Sequence, residues 1–236
     1  MSDRPTVGAI AIVIAGGPPP TSGVLRRLPE TDLVIAADSG LDHGRALGLK
    51  PTMVIGDLDS VSADGLHWAQ EIGAEIVEHS IDKDATDLDL ALQAAAELTD
   101  DIVVVDSGLG RLDHVLANLA LLASPRFAST RVTAYVGAAT VSVVRTHRVV
   151  AGRPGEEFTL LAVSGPVEGL TVEGVRWPLN DHYLEPGSTL GVSNVFEATE
   201  ATITVKSGVV LVVQPWPEEG RPEAPVDGGS AASTGS

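Results

Sequence analysis

Two stretches, Leu33-Val34-Ile35-Ala36-Ala37-Asp38-Ser39-Gly40 and Met53-Val54-Ile55-Gly56-Asp57-Leu58-Asp59-Ser60, set the architecture of this chain. Each is a short apolar run that stops at a carboxylate. Runs rich in Val and Ile, without polar alternation, are the mark of strands buried on both faces. Leu41–Leu47 between them reads as a helix. On either side the same alternation continues. Ala9–Ala15, Glu75–Val77, Ile102–Val105 and Val132–Val136 read as strands, and Ser22–Leu28, Ala63–Ile72, Thr86–Leu98 and Leu112–Leu122 as helices. Leu88, Ala91, Leu92 and Ala95 hold the i, i+3, i+4, i+7 spacing of one apolar face. The expected fold class is α/β: a mostly parallel, Rossmann-like sheet flanked by helices.

Beyond Gly137 the helical period disappears. Val141–Val144, Phe158–Val163, Leu170–Val172, Thr189–Val192, Ala201–Val205 and Val209–Val213 read as strands joined by Gly/Pro turns, which predicts a small all-β sandwich. The expected domains are therefore 1–138 and 139–217. Glu218–Ser236 has almost no bulky apolar residue to offset the entropy of ordering and is expected to be a disordered tail.

Composition removes several function classes. The 236 residues include no cysteine, so disulfides and thiolate metal sites are excluded. With 32 acids against 15 bases, a broad nucleic-acid surface is not expected. No apolar run reaches the roughly 20 residues that span a bilayer. The start Met1-Ser2-Asp3-Arg4-Pro5 lacks the features of a secretory signal, so a cytoplasmic protein without a membrane partner is expected. The net charge of −17 is unevenly placed: Asp38 to Asp113 holds 17 acids and four bases. A solvated acidic surface accounts for part of this; a dense acidic site that needs cations is the other reading.

An open α/β sheet binds ligands beyond the carboxyl ends of its strands, and four strands here end in acids. They run into Asp38-Ser39-Gly40, Gly56-Asp57-Leu58-Asp59-Ser60, Asp82-Lys83-Asp84-Ala85-Thr86-Asp87 and Asp106-Ser107-Gly108-Leu109-Gly110-Arg111-Leu112-Asp113-His114. Clustered hard oxygen ligands suit Mg²⁺ with substrate phosphates. An isolated Asp57-x-Asp59 reads as a polar turn; beside the other acidic strand ends it reads as a shared cation site. Asp84 is a candidate helix N-cap and Asp87 a first-turn acid, though Asp89 adds more charge than capping needs. Lys83, one of three lysines, fits a phosphate contact or a local salt bridge.

Arg111 follows Gly108 and Gly110, where backbone can approach a ligand and a guanidinium can grip phosphate. His114 and Asn118 lie four apart on one helix face; a capped helix start with a satisfied histidine is the plainer reading. Gly16-Gly17 follows the first strand, where phosphates meet backbone amides. Neither a Walker loop nor a dinucleotide fingerprint is present, and Pro18, Pro19 and Pro20 supply no amide donor. His43, His67, His79, His147 and His182 show no metal-ligand spacing. Trp177 is core by spacing alone, or a platform for a flat ring.

The ordered set Ala37-Asp38-Ser39-Gly40, Gly56-Asp57-Leu58-Asp59-Ser60, Asp84-Ala85-Thr86-Asp87-Leu88 and Gly110-Arg111-Leu112-Asp113-His114 with Asn118 resembles the thiamine pyrophosphokinase family. So do Gly174, Trp177-Pro178-Leu179 and Ser193-Asn194 downstream. The resemblance spans about residues 8–215. It implies an α/β domain plus a β-sandwich in a homodimer with shared active sites. The implied reaction moves pyrophosphate from ATP to the hydroxyethyl arm of thiamine, giving thiamine diphosphate and AMP. By the same resemblance Asp57, Asp59 and Asp87 are Mg²⁺ ligands. Gly16, Gly17, Asp38, Ser39, Gly40, Lys83, Thr86, Gly110, Arg111, His114 and Asn118 serve ATP, with Asp113 handling phosphate. Trp177, Ser193 and Asn194 serve thiamine, Trp177 in the partner's site. Ser39 stands where the family commonly has a second glycine. The hydroxyl's proton is assigned to Asp84 or Asp113.

Two rival readings remain at this point. An aspartyl-phosphate phosphatase would use Asp57 as nucleophile, but Asp57 follows the third strand instead of the first. A non-catalytic nucleotide or thiamine sensor would keep the scaffold without turnover.

Overall fold

The computed structural model describes residues 9–82 and 84–217. Lys83 and the expected tail Glu218–Ser236 lie outside the described residues. The first half runs β1 (Ile10–Ile14), β2 (Val34–Ala37), α1 (Gly40–Leu47), β3 (Met53–Gly56), α2 (Ala63–Glu71), β4 (Glu75–Glu78), α3 (Asp87–Leu98), β5 (Asp101–Asp106), α4 (Leu112–Leu122) and β6 (Arg131–Val136). Ser22–Leu28, expected as a helix, holds a 3-10 helix over Ser22–Arg27 in place of an α-helix. Strands β6-β5-β1-β2-β3-β4 pair in parallel in that order. Their residues alternate between two buried faces: Ala11, Val13, Ile35 and Val104 lie under α3, with Ile12, Ile14, Val34 and Val105 on the opposite face. That double burial explains why these strands read as continuous apolar runs.

The second half comprises β7 (Ala139–Val144), β8 (His147–Ala151), β9 (Glu157–Ala162), β10 (Val167–Glu173), β11 (Leu179–Leu184), β12 (Asn194–Val195), β13 (Glu200–Thr204) and β14 (Val210–Pro215). The chain turns at Gly137, whose φ of 58° suits glycine, and β7 returns antiparallel to β6. Strands β14, β9 and β12 extend the same sheet to ten strands, while β11-β10-β13-β8 form a separate antiparallel sheet. A second core lies between them. Phe158, Leu160, Val210 and Val212 face Leu170, Val172, Ala201 and Ile203, and Phe158 and Phe196 meet at 4.8 Å between ring centroids. The sandwich is thus built partly on an extension of the α/β sheet. Thr189–Val192, expected as a strand, is irregular, whereas β8, with only the short apolar run Val149-Val150-Ala151, and the polar β11 were not expected as strands. Among the described residues no helix is long and apolar enough to cross a membrane.

Candidate active site

Strand order reverses between β5 and β1, and an open sheet leaves a crevice at such a point. The segments after β1, β2, β3 and β5 all leave the sheet at its carboxyl edge.

Asp38, directly after β2, and Leu58, between Asp57 and Asp59, both have left-handed backbone, with φ of 47° and 62°. For non-glycine residues that geometry costs about 1–2 kcal/mol each. It accompanies a close grouping: carboxylate oxygens of Asp38, Asp57 and Asp59 all lie within 4.8 Å of one another. Gly56 makes room for it, since a Cβ there would sit 3.1 Å from Asp38 Cβ and 3.2 Å from Asp87 Oδ1. The turn expected around Asp57 is also present. Asp59 N–H donates to Asp57 Oδ1 at 3.4 Å and Ser60 Oγ to Asp59 Oδ1 at 2.9 Å.

Asp38 Oδ1 is buried with no hydrogen-bond partner among the described residues. Burial pushes the Asp38 carboxyl above its usual range. The charges of Asp87, Asp57 and Asp59 add to this, against a backbone hydrogen bond at Ser39. An unpartnered oxygen among like charges, with only hard oxygen donors around it, fits a divalent cation. Sequence placed Asp57, Asp59 and Asp87 in that role. The geometric trio contains Asp38, with Asp87 across Gly56 from it.

Thr86, not Asp84, caps α3, its hydroxyl accepting from Asp89 N–H at 3.2 Å. The extra acid in that turn is also explained. Asp89 is buried, taking Arg126 Nη1 at 2.7 Å and Gln93 Nε2 at 2.9 Å. Asp84, Ala85, Thr86 and Asn118 line an open pocket of about 440 Å³ that ends at this ion pair.

After β5, buried Asp106 accepts from Gly108 N–H and from Asn118 Nδ2, each at 2.8 Å. Asn118, expected at ATP, therefore anchors the strand end to α4. Arg111 grips Asp113 bidentately, Nε to Oδ1 at 3.1 Å and Nη2 to Oδ2 at 2.6 Å. The guanidinium holds the Asp113 carboxyl down at about 2, and Arg111 is raised in turn. Both side chains and His114 face solvent. Gly110, with φ of 94°, lies against Pro18: a Cβ there would sit 3.0 Å from Pro18 Cγ. The proline run thus abuts the Arg111 loop.

Gly16 and Gly17 meet α1. A Cβ on Gly16 would lie 3.0 Å from Ser39 Oγ, and one on Gly40 would lie 2.2 Å from Ile14 O, so glycine lets the helix start against β1. Gly17 N–H donates to Ser39 Oγ at 3.1 Å.

In the β half, Trp177 is 55% exposed, so the core reading that spacing favoured does not hold. Asn194 is buried and grips the Trp177 backbone, accepting its N–H at 3.2 Å and donating to its carbonyl at 2.9 Å. It positions Trp177 more than it offers itself to a ligand. Ser193 is exposed, with φ of 55°, and its N–H donates to Thr159 Oγ1 at 3.2 Å. Sequence reasoning counted Asp106 among the acidic strand ends but gave it no role of its own. Nothing in the spacing marks His43, whose Nε2 lies 2.8 Å from the Gly17 carbonyl oxygen.

The models for the thiamin pyrophosphokinase catalytic domain and vitamin B1 binding domain match residues 25–134 and 146–210. The chain belongs to the thiamine pyrophosphokinase family. It is 28% identical over 222 residues to the thiamine pyrophosphokinase of Bacillus subtilis (strain 168), covering 86% of this chain and 96% of that one. A thiamin pyrophosphokinase family protein from Enterococcus faecalis superposes with a TM-score of 0.73 at 26% identity. That match covers 89% of this chain and 100% of the other. The yeast thiamin pyrophosphokinase, at 13% identity, shares the fold with a TM-score of 0.71 over 90% of this chain and 88% of its own. Thiamine pyrophosphokinases thus share both halves of this architecture.

Proposed function

We propose that this chain is a Mg²⁺-dependent thiamine pyrophosphokinase that moves the terminal pyrophosphoryl group of ATP onto the hydroxyethyl arm of thiamine, releasing AMP. The observation that carries this reading is the Asp38, Asp57 and Asp59 group with its buried, unpartnered Asp38 oxygen at the sheet's carboxyl edge. Asp38, Asp57 and Asp59, with Asp87 adjacent, would hold Mg²⁺. When bound, the ion neutralises the triphosphate and polarises its oxygens.

The chain's own residues position the reactants. Residues 1–138 form the nucleotide domain, with Gly16, Gly17, Ser39 and Gly40 at the phosphates. Arg111 leaves Asp113 to meet transferring phosphate oxygens, since a guanidinium pairs with phosphate as it does with carboxylate. Thiamine's hydroxyl oxygen attacks the β-phosphorus, the bond to the α-bridging oxygen breaks, and the hydroxyl proton passes to a carboxylate. Asp84, exposed at the pocket lip, is one candidate acceptor; Asp113, freed once Arg111 turns to the phosphate, is the other.

Residues 139–217 form the thiamine-binding and dimerisation domain, with Trp177 as ring platform. A homodimer that shares its active sites is supported by exposed apolar residues in both halves. Leu109, Leu112 and Leu116 are 64%, 70% and 58% exposed at the start of α4, and Leu190 in the β half is 54% exposed. Incubation with Mg²⁺, ATP and a panel of hydroxyalkyl heterocycles tests the assignment. Thiamine-dependent AMP release is expected, and ADP in its place would overturn it.

A further inference from the structure

Few donors exist where β1 meets the crevice. Pro18, Pro19 and Pro20 have no N–H, and Ala15 N–H is spent on Val105 O at 2.9 Å. Only the amides of Gly16 and Gly17 remain in residues 15–20. Gly17 is held on both sides by the start of α1: its N–H donates to Ser39 Oγ at 3.1 Å, and its carbonyl lies 2.8 Å from His43 Nε2. A carbonyl only accepts, so His43 carries a proton on Nε2. Ser39 and His43 are four residues apart and lie on one side of the helix start. Gly17 itself has φ of 92°, a conformation that side chains strain.

Having accepted from Gly17, the Ser39 hydroxyl keeps its own proton to donate, and no described residue receives it. Gly16 N–H also has no partner among the described residues. Residue 16 packs against this hydroxyl, since a Cβ on Gly16 would lie 3.0 Å from Ser39 Oγ. A hydroxyl that accepts from an amide is a stronger donor to the next acceptor.

We propose that Ser39 relays the Gly17 amide to a phosphate oxygen of the nucleotide, and that His43 is a positioning residue that fixes the relay by holding the Gly17 carbonyl. His43 acts through Gly17 and does not touch the substrate. The proline run supports this arrangement: a loop stripped of amide donors takes its donor from α1. The inference rests on the ATP reading above.

Titration calorimetry of the full-length protein with α,β-methylene-ATP, which resists cleavage at the bond in question, measures it without turnover. His43→Ala and Ser39→Ala are each expected to weaken the analogue by about three- to tenfold, the size of one lost hydrogen bond. His43→Gln, which keeps an N–H donor, is expected within about twofold of the parent on the same grounds. The thiamine KM stays at the parental value in all three. Parental affinity in both alanine variants overturns the inference while leaving the ATP reading intact. So does a loss matched by an equal rise in thiamine KM and a fall in thermal midpoint, which marks general damage. A parent protein that does not bind the analogue overturns the ATP reading and this inference together.

Discussion

Replacing Asp38 by asparagine separates what the carboxylate group does for the reaction from what it does to the fold. Asp38, Asp57 and Asp59 bring oxygens within 4.8 Å of one another. At that distance two unit charges repel by about 3 kcal/mol at an effective dielectric of ~20 and by about 1 kcal/mol in water. Asp59 is exposed and Asp57 half-buried, so the lower end applies to much of the group. Relief of about 1–2 kcal/mol, after that screening, raises the thermal midpoint by about 2–8 °C in a domain of this size. The sign also follows from titration. Asp38 is pushed above the ordinary aspartate value of 3.8 by burial and like charges. The folded state therefore holds that proton more tightly than the unfolded chain does. In the parent this group's contribution to stability grows as pH falls from neutral through its folded pKa, and the substitution removes that dependence.

Scanning calorimetry in chelator at low salt reads the effect. Asp38→Asn is expected to melt higher than the parent, with a gap that narrows as salt screens the group. Added Mg²⁺ should raise the parent's midpoint by ligand linkage and the variant's far less, while turnover falls by at least about a hundredfold, the scale of losing one electrostatic contact at a reacting group. A variant that melts lower in chelator, or that keeps its Mg²⁺ response and its turnover, refutes the reasoning.

Other expectations are narrower. Trp177→Ala should raise the thiamine KM by about tenfold, the worth of a lost aromatic contact, with little change in the ATP KM; unaltered thiamine kinetics would return Trp177 to a structural role. Arg126→Ala leaves Asp89 largely buried without its guanidinium and should lower stability by about 1–3 kcal/mol in denaturant melts. Adding Asp89→Asn should recover part of that loss, and a neutral Arg126→Ala would show the pair to be idle. For Asp113, the depressed pKa means any stability from the Arg111 pair is present above the ordinary aspartate range and is lost as pH falls toward about 2. An NMR titration of the Asp113 carboxyl should show that midpoint and move it upward in Arg111→Gln; an ordinary midpoint in the parent would contradict the bidentate contact.

The parallel sheet was legible because strands buried on both faces have to be apolar throughout, as Val34–Ala37 and Ile102–Val105 are. Helix α3 was legible through its apolar stripe. Strand β11, Leu-Asn-Asp-His-Tyr-Leu, was not, because it lies at the edge of its sheet with half of its residues exposed and only Leu184 buried. Leu190 and Val192 misled in the opposite direction: they are apolar yet exposed, so they mimicked a strand. At the site, the acids at strand ends were readable one by one. Which of them come together was not, because Asp38 joins Asp57 and Asp59 through left-handed backbone at Asp38 and Leu58, which no residue type announces. Asn118 and Asn194 were named from spacing and resemblance. The structure turns both inward, onto Asp106 and the Trp177 backbone. His43 contributes one hydrogen bond to a residue 26 positions away, and no local pattern encodes that.

The fate of a label on the β-phosphorus of ATP bears most closely on the proposed chemistry. With Mg²⁺, thiamine and this protein, the label is expected in thiamine diphosphate, with unlabelled AMP formed in equal amount and nothing formed when thiamine is omitted. Label recovered in ADP, or phosphate released without thiamine, would contradict pyrophosphoryl transfer by this chain.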